Sequence, residues 1–290
     1  MNDELPIKST FKAYDIRGVV GSELTTPIVK KIGQAIGTMA LSQNQKTICV
    51  GYDGRLSSPT LSSTLIDGLL STGIDVVNIG LCTTPMLYFS TFHQATGTGV
   101  MVTGSHNPPE YNGFKIVVNE KTLFSDDIQT LYKAILNSNY LKGKGKERSL
   151  SIKSDYLDEI SNSIKLKRPM RVAIDCGNGA GGVCAEELFK KLGVETEPLF
   201  CDVDGNFPNH HPDPSNPKNL LDLKNALKNG DSELGLAFDG DADRLGVVTK
   251  DGEIIFPDRQ LLLFSEAVLK ECPQTSIIFD VKSTRHLFSW

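Results

Sequence analysis

Three times between residues 25 and 94 a Ser-Pro or Thr-Pro step opens a stretch of helical character, and each time a short strand-like run follows. "TTPIVKKIGQAIGTMA" sets Ile28, Ile32 and Ile36 four apart on one helical face, with Thr26 as N-cap and Pro27 at the first helical position. "KTICVGYD" then reads as a buried strand. "SSPTLSSTLIDGLLSTG" repeats the device: Ser58 caps, Pro59 starts, Leu61, Leu65 and Leu69 face inward and Gly73 ends the helix. "IDVVNIG", the Thr84-Pro85 helix "TTPMLYFSTFHQ" and the strand "GVMVTG" complete the series. Strand and helix in such alternation predict an α/β sheet, and an α/β sheet places its ligands past the carboxyl ends of its strands.

The pattern continues with a strand at "GFKIVV" and a helix at "SDDIQTLYKAIL". A boundary is expected near "NSNYLKGKGKERS", whose basic run Lys142–Arg148 reads as a solvated linker. A second series follows: helix "SDYLDEISNSI", strand "MRVAIDC", helix "GGVCAEELFKKLG", strand "VETEPLF" and the proline-rich loop "DVDGNFPNHHPDPSNP". Helix "NLLDLKNALKNG", strand "ELGLAFD" and hairpin "RLGVVTKDGEII", turning at Asp251-Gly252, close it. The helix "PDRQLLLFSEAVLKE" and a strand at "TSIIFDV" open a third unit, which the chain does not complete before "KSTRHLFSW". At 290 residues, 39% hydrophobic and 22% charged, the composition suits a multi-domain globular protein. The net charge of -5 argues against a nucleic-acid surface. The six cysteines, Cys49, Cys82, Cys176, Cys184, Cys201 and Cys272, form no C-x-x-C pair, and most sit in apolar runs, as reduced thiols of a cytoplasmic protein do. The N-terminus has acids where a secretory leader needs an apolar stretch, and no run reaches membrane-spanning length.

Two segments carry chemistry. "TGSHNPPEYNGFK", Thr103–Lys115, places Ser105 and His106 just past a strand end in a loop stiffened by prolines. "FDGDADRLG" puts Asp239, Asp241 and Asp243 at alternate positions after a strand, so that their carboxylates share one side. Three converging carboxylates repel unless a cation lies between them, and all-oxygen ligation selects Mg²⁺ or Ca²⁺. An EF-hand needs Gly at the sixth position and Glu at the twelfth, where this chain has Arg244 and Lys250. The plain alternative is an acidic turn in water. Open positions on Mg²⁺ suit phosphate oxygens, which links the acids to a phosphoryl group on Ser105, with Lys115 or Arg244 stabilising the charge in flight. A serine hydrolase fits poorly. The nucleophile elbow is G-x-S-x-G, Gly104 directly precedes Ser105, and adjacent Ser and His on extended backbone point apart. "GNGAGG", Gly177–Gly182, matches the dinucleotide fingerprint G-x-G-x-x-G, with Asp202 at a suitable distance; a tight strand-to-helix turn, to which this fold is prone, is the preferred reading.

"FKAYDIRG" (Phe11–Gly18), "TGSHNPPEYNGFK", "DGDADR" (Asp239–Arg244) and "DVK" (Asp280–Lys282) occur in the order found in the α-D-phosphohexomutases, and the chain resembles the phosphomannomutase/phosphoglucomutase branch over essentially its whole length. The resemblance implies consecutive α/β domains with mixed sheets: domain I at 1–147, domain II at 148–254 and the start of domain III at 255–290. It implies an isomerase that interconverts hexose 1-phosphate and hexose 6-phosphate, of mannose and/or glucose, through a phosphoserine and a hexose 1,6-bisphosphate. Ser105 corresponds to the phosphorylated serine and, with Asp239, Asp241 and Asp243, to the Mg²⁺ ligands. Lys115 corresponds to the general base, Arg17, Arg244 and His106 to residues around the phosphoserine, and Tyr14 and Lys282 to residues lining the cleft.

The family's sugar-reading loop in its third domain and phosphate-gripping loop in its fourth have no counterpart in these residues. A chain truncated within domain III, lacking domain IV and turning over poorly, is therefore expected; a split partner or an interrupted gene would give the same pattern. Two rival readings remain. One is a non-catalytic remnant that binds Mg²⁺ or a partner, and the other is a dinucleotide-dependent oxidoreductase resting on "GNGAGG".

Overall fold

The computed structural model describes residues 4–289. Its first sheet follows the order β1-β5-β4-β2-β3-β7, with β6 beside β5. These strands are β1 (Ile16–Val19), β2 (Thr47–Tyr52), β3 (Asp75–Leu81), β4 (Gly99–Val102), β5 (Tyr111–Val118), β6 (Lys121–Thr122) and β7 (Glu147–Ser149). β2, β3, β4 and β7 run parallel, while β5 is antiparallel to β4, β1 and β6, so the sheet is mixed as expected.

Alternation along the central strands sorts the core into two layers. Ile48, Val50, Val76, Val100 and Val102 face helices α1 (Thr26–Ser42), α2 (Ser58–Leu70) and α4 (Asp126–Leu136). Cys49, Val77 and Met101 face the other way, toward α3 (Thr84–His93) and α5 (Lys153–Ser163). Leu188 of α6 (Ala185–Lys191) packs into this second layer, so the second unit meets the first through that helix.

The second sheet has the order β12-β11-β10-β8-β9, from β8 (Arg171–Asp175), β9 (Glu195–Leu199), β10 (Leu234–Phe238), β11 (Leu245–Thr249) and β12 (Ile254–Ile255). β8, β9 and β10 are parallel; β11 and β12 form the antiparallel hairpin, with Gly252 at φ +82°. Helix α7 (Leu221–Asn229) seals one face through Leu223 and Leu227, and α8 (Pro257–Glu271) follows the hairpin.

Several expectations are corrected. The caps sit one residue earlier than predicted: the Thr25 and Thr83 hydroxyls accept from Ile28 N and Met86 N. Ser57, not Ser58, precedes α2, without a side-chain cap. Both Ser58 and Thr84 are thereby released for the site described below. The basic linker ends in β7, which pairs in parallel with β3. No strand forms at "TSIIFDV"; Ile278 is 90% and Val281 100% exposed. A strand needs a neighbour to take its backbone donors and acceptors, and among the described residues none lies beside this segment. The predicted "GGVCAEELFKKLG" helix is interrupted, a 3₁₀ turn at Ala180–Val183 preceding α6.

Candidate active site

Side chains past the ends of β2, β4 and β10 meet Lys115 of β5 at the junction of the two sheets. Past β4, Ser105 adopts φ +50°, a left-handed conformation that a serine holds only when its surroundings enforce it. The enforcement comes from Asp53 and Arg55, just past β2. Asp53 Oδ2 accepts from Thr103 Oγ1 at 2.7 Å and Gly104 N at 3.2 Å; its Oδ1 accepts from Ser58 Oγ and from Arg55 N. Thr103 Oγ1 in turn accepts from Ser105 N at 2.8 Å. The Arg55 guanidinium, wholly buried, donates to the carbonyls of Ser105 (2.8 Å), Asn107 (2.6 Å), Pro108 (2.6 Å) and Tyr111 (3.0 Å). Its Nε lies 3.3 Å from Asp53 Oδ2, and its face covers the Phe207 ring. Burial pushes the Asp53 carboxyl up, and the Arg55 charge pulls it back. A Cβ on Gly104 would come within 2.4 Å of this guanidinium, so only glycine fits there.

The acid loop leaves β10. Asp239, Asp241 and Asp243 bring carboxylate oxygens within 4.8 Å of one another, the first two completely buried. Ser105 Oγ donates to Asp239 Oδ2 at 2.8 Å, across the boundary between the sheets. Asp239 Oδ1 accepts from the backbone N–H of Asp243 (3.1 Å) and Arg244 (3.0 Å). Gly240 admits this approach, since a Cβ there would lie 2.2 Å from Ser105 O. Asp241 sits at the start of α3, where Thr84 donates to it through both its backbone N and its hydroxyl. Lys115 Nζ, from β5, donates to Asp241 at 2.6 Å and also to Asp243. These two carboxylates hold the Lys115 ammonium well above its ordinary range against the pull of burial. Burial and the neighbouring Asp241 and Asp243 push the Asp239 carboxyl up, whereas Lys115 and Thr84 overcome burial and hold Asp241 low.

Ser105 and His106 do not point apart, because the backbone between them is not extended: His106 Nδ1 lies 3.2 Å from Ser105 Oγ. Burial, then the Arg244 charge, lowers the His106 imidazole. Arg17, on β1, donates to Asn107 Oδ1 and pairs with Asp15, bracing the serine loop. Arg244 is exposed beside Asp243. Tyr14 is 76% exposed, and Lys282 pairs with Asp280 at 3.2 Å; neither bonds to the other predicted site residues. The geometry thus gathers Ser105, His106, Lys115, Asp239, Asp241 and Asp243 directly, with Arg17 and Arg244 at the margin.

Sequence reasoning missed Asp53, Arg55, Thr84 and His211. The proline-rich loop is a clasp: His211 Nε2 bonds to His106 O, and Phe207 lies on Arg55. The "GNGAGG" turn is a buttress, Ala180 N donating to Gly240 O at 2.9 Å.

The donor set fits a hard divalent cation. It is all oxygen, and Asp241 Oδ1 is buried with no hydrogen-bond partner, an acceptor left for something else to satisfy. Asp239, Asp241, Asp243 and Ser105 Oγ are the groups that would hold it.

Residues 8–142 match the family described as phosphoglucomutase/phosphomannomutase, alpha/beta/alpha domain I, and residues 154–252 match domain II of the same family. A phosphoglucomutase of Neisseria meningitidis serogroup B is 54% identical over 286 residues, covering 98% of this chain and 62% of that protein. A phosphomannomutase/phosphoglucomutase of Pseudomonas aeruginosa is 49% identical over 281 residues, 97% of this chain and 61% of its own length. The crystal structure of a phosphoglucomutase/phosphomannomutase family protein from Burkholderia thailandensis superposes with a TM-score of 0.96 at 48% identity, over 99% of this chain and 64% of that one. The chain therefore spans a little over three fifths of the length of these relatives. With two consecutive domain matches, and a serine loop facing an acid loop at the strand ends, the chain belongs to the phosphoglucomutase/phosphomannomutase family.

Proposed function

We propose that this chain carries the phosphoryl-bearing and metal-holding part of a phosphohexomutase that interconverts the 1- and 6-phosphates of mannose and/or glucose. The units 1–147 and 148–254 supply the serine and acid loops, and residues from 255 onward belong to a third unit. The observation that carries the reading is the 2.8 Å hydrogen bond from Ser105 Oγ to Asp239 inside a three-carboxylate cluster. A serine so placed has no use for a hydrolytic triad but is well set to bear an anion beside a cation.

In the first half-reaction the bond from Ser105 Oγ to phosphorus breaks as a bond forms from phosphorus to a free sugar hydroxyl. The hydroxyl proton passes to a base, and a hexose 1,6-bisphosphate results. In the second, the bond from the other phosphorus to its sugar oxygen breaks as Ser105 Oγ takes that phosphoryl group, and the sugar oxygen receives a proton from the base, giving the isomeric monophosphate. Bound Mg²⁺ would neutralise charge on the transferring group. Lys115 is the base only after release from Asp241 and Asp243, because in their grip it keeps its proton. Arg17, His106 and Arg244 surround the phosphoserine, and Tyr14 and Lys282 line the approach for sugar. The net charge of -5 fits a small-molecule rather than a nucleic-acid partner. Among the described residues no helix is long and apolar enough to cross a membrane, and we assign the protein to the cytoplasm.

Incubation with glucose or mannose 1,6-bisphosphate should add one phosphoryl group, mapped to Ser105 by peptide mass. Ser105→Ala should remain folded and unlabelled. A label on another serine or on His106 would overturn the assignment.

A further inference from the structure

Cys176 and Cys201 stand apart from the chemistry described above. Cys176 follows β8 and is fully buried, whereas Cys201 follows β9 and is half-buried. Their sulfurs lie 3.5 Å apart, the one Sγ–Sγ contact among the described residues. The backbones around them stay in register beyond the strand ends, with Cys176 N donating to Leu199 O at 3.1 Å and Asn178 N to Phe200 O at 2.8 Å. The register carried on from Asp175 and Leu199 sets Cys176 beside Phe200 and Cys201 one residue further along, and with Phe200 left-handed at φ +52° the two sulfurs reach the same side. Forming the bond asks the sulfurs to close by about 1.5 Å, to ~2.05 Å, a movement shared between the two side chains and the turn that Cys176 opens. Two of the other buried thiols are engaged elsewhere, Cys49 with Thr96 Oγ1 and Cys82 with Met101 Sδ, and Cys184 packs in the layer under β2 and β3.

We propose that Cys176 and Cys201 form a reversible disulfide under peroxide, and that this bond loosens the acid loop. Cys201, the accessible partner, attacks the peroxide oxygen as thiolate, giving a sulfenic acid and water. The Cys176 sulfur then attacks the Cys201 sulfur, expelling a second water. Two thiol hydrogens and two electrons pass to one hydrogen peroxide, which becomes two waters, and a dithiol reverses the change. The pairing does not depend on the mutase reading.

The coupling follows from what Cys176 adjoins. It opens the Gly177–Gly182 turn, whose Ala180 N–H holds Gly240 O. Gly240 in turn lies against Ser105 O, with no room for a Cβ. Asp175, one residue before, takes Nε2 of His210 at 3.0 Å, and His211 holds His106 O. Drawing Cys176 toward Cys201 pulls on a turn packed against both reacting loops.

The test uses the chain with Cys272→Ser, which removes the exposed thiol. Peroxide should reduce the alkylatable thiols by two with loss of two hydrogens from the intact mass. The link should map to Cys176–Cys201 and vanish with dithiothreitol. Cys201→Ser and Cys176→Ala should each abolish it. Amide hydrogen exchange at residues 239–244 should quicken on the order of tenfold on oxidation, the usual scale of coupling between linked sites. An unlinked product, or a link between other cysteines, overturns the pairing; a correct link with unchanged exchange at 239–244 overturns the coupling.

Discussion

Arg55→Met removes a buried guanidinium and strands everything it held. The Asp53 carboxylate loses its counter-charge in a fully buried position, and the carbonyls of Ser105, Asn107, Pro108 and Tyr111 lose their donors. Breaking a buried ion pair from one side destabilises by ~3–5 kcal/mol. The buried Ser105 carbonyl adds about 1–3 kcal/mol when nothing replaces its partner, and the part-buried carbonyls of Asn107, Pro108 and Tyr111 add less, Pro108 O keeping the Tyr111 N–H. The sum overshoots, because the loop relaxes and Asp53 can take up a proton, its carboxyl being already raised by burial. About 4 kcal/mol is the expected loss, a large share of the ~5–15 kcal/mol that stabilises a typical domain. Arg55→Lys separates charge from geometry: the ammonium keeps a charge beside Asp53 but cannot span four carbonyls. It should lose about 2 kcal/mol and slow Ser105 phosphorylation more than tenfold, since the left-handed Ser105 backbone is no longer enforced. Urea denaturation of the three proteins, read by midpoint at constant slope, gives the stabilities; intact mass after timed exposure to a hexose bisphosphate gives the rates. Arg55→Met within 1 kcal/mol of wild type, or Arg55→Lys phosphorylated at the wild-type rate, would refute the clamp.

Asp241→Asn should weaken Mg²⁺ binding by more than tenfold in calorimetry, since it neutralises the carboxylate whose Oδ1 lacks a partner; equal affinity in Asp239→Asn, Asp241→Asn and Asp243→Asn and in wild type would sink the metal site. Burial and its acidic neighbours push the Asp239 carboxyl up to about 8. A folded value above the unfolded one means the folded chain holds the proton more tightly, so this contribution is complete at acid pH and lost as pH climbs toward 8. The metal-free thermal midpoint should fall across that window and recover with Mg²⁺, and a flat profile in both states would contradict it. Asp241, held low by Lys115, acts in the opposite direction but at more acid pH. Lys115→Met removes the cation that competes for Asp241 and Asp243, so Mg²⁺ should bind several-fold tighter while Ser105 dephosphorylates to sugar more slowly; weaker Mg²⁺ binding would mean that Lys115 orients the carboxylates instead.

Where the fold depends on local pattern it was readable. The helices over Ile28–Ile36 and Leu61–Leu69 follow from apolar spacing and a proline start, and the parallel strands from short apolar runs between them. The missed strands are those made by partners rather than by composition: β7 is charged and exposed, and only the edge of β3 recruits it. The reverse failure at "TSIIFDV" has the same cause, a strand-like composition with no neighbour among the described residues to pair with. The cap shift is different. Thr25 and Thr26, and Thr83 and Thr84, are chemically identical pairs, so composition alone does not say which threonine caps.

The two reacting loops were legible because each packs its chemistry into a few residues, whereas the groups that hold them are scattered. Arg55 stands 50 residues from Ser105, and Thr84 stands 157 from Asp241. Only the sheet order, which sets β4 beside β2, brings such positions together. The misjudged Ser105–His106 geometry shows what that support changes. On extended backbone the two side chains would diverge, and the clamp instead turns Ser105 to φ +50° and swings Oγ between His106 and Asp239. The serine does not thereby become a hydrolase nucleophile. Its proton is directed to Asp239 at 2.8 Å rather than to the imidazole at 3.2 Å, and among the described residues no carboxylate hydrogen-bonds to His106 to orient it as a base, Asp213 reaching it through charge alone. The strain at Ser105 therefore serves position: it presents the oxygen to the same carboxylates that a divalent cation would bridge.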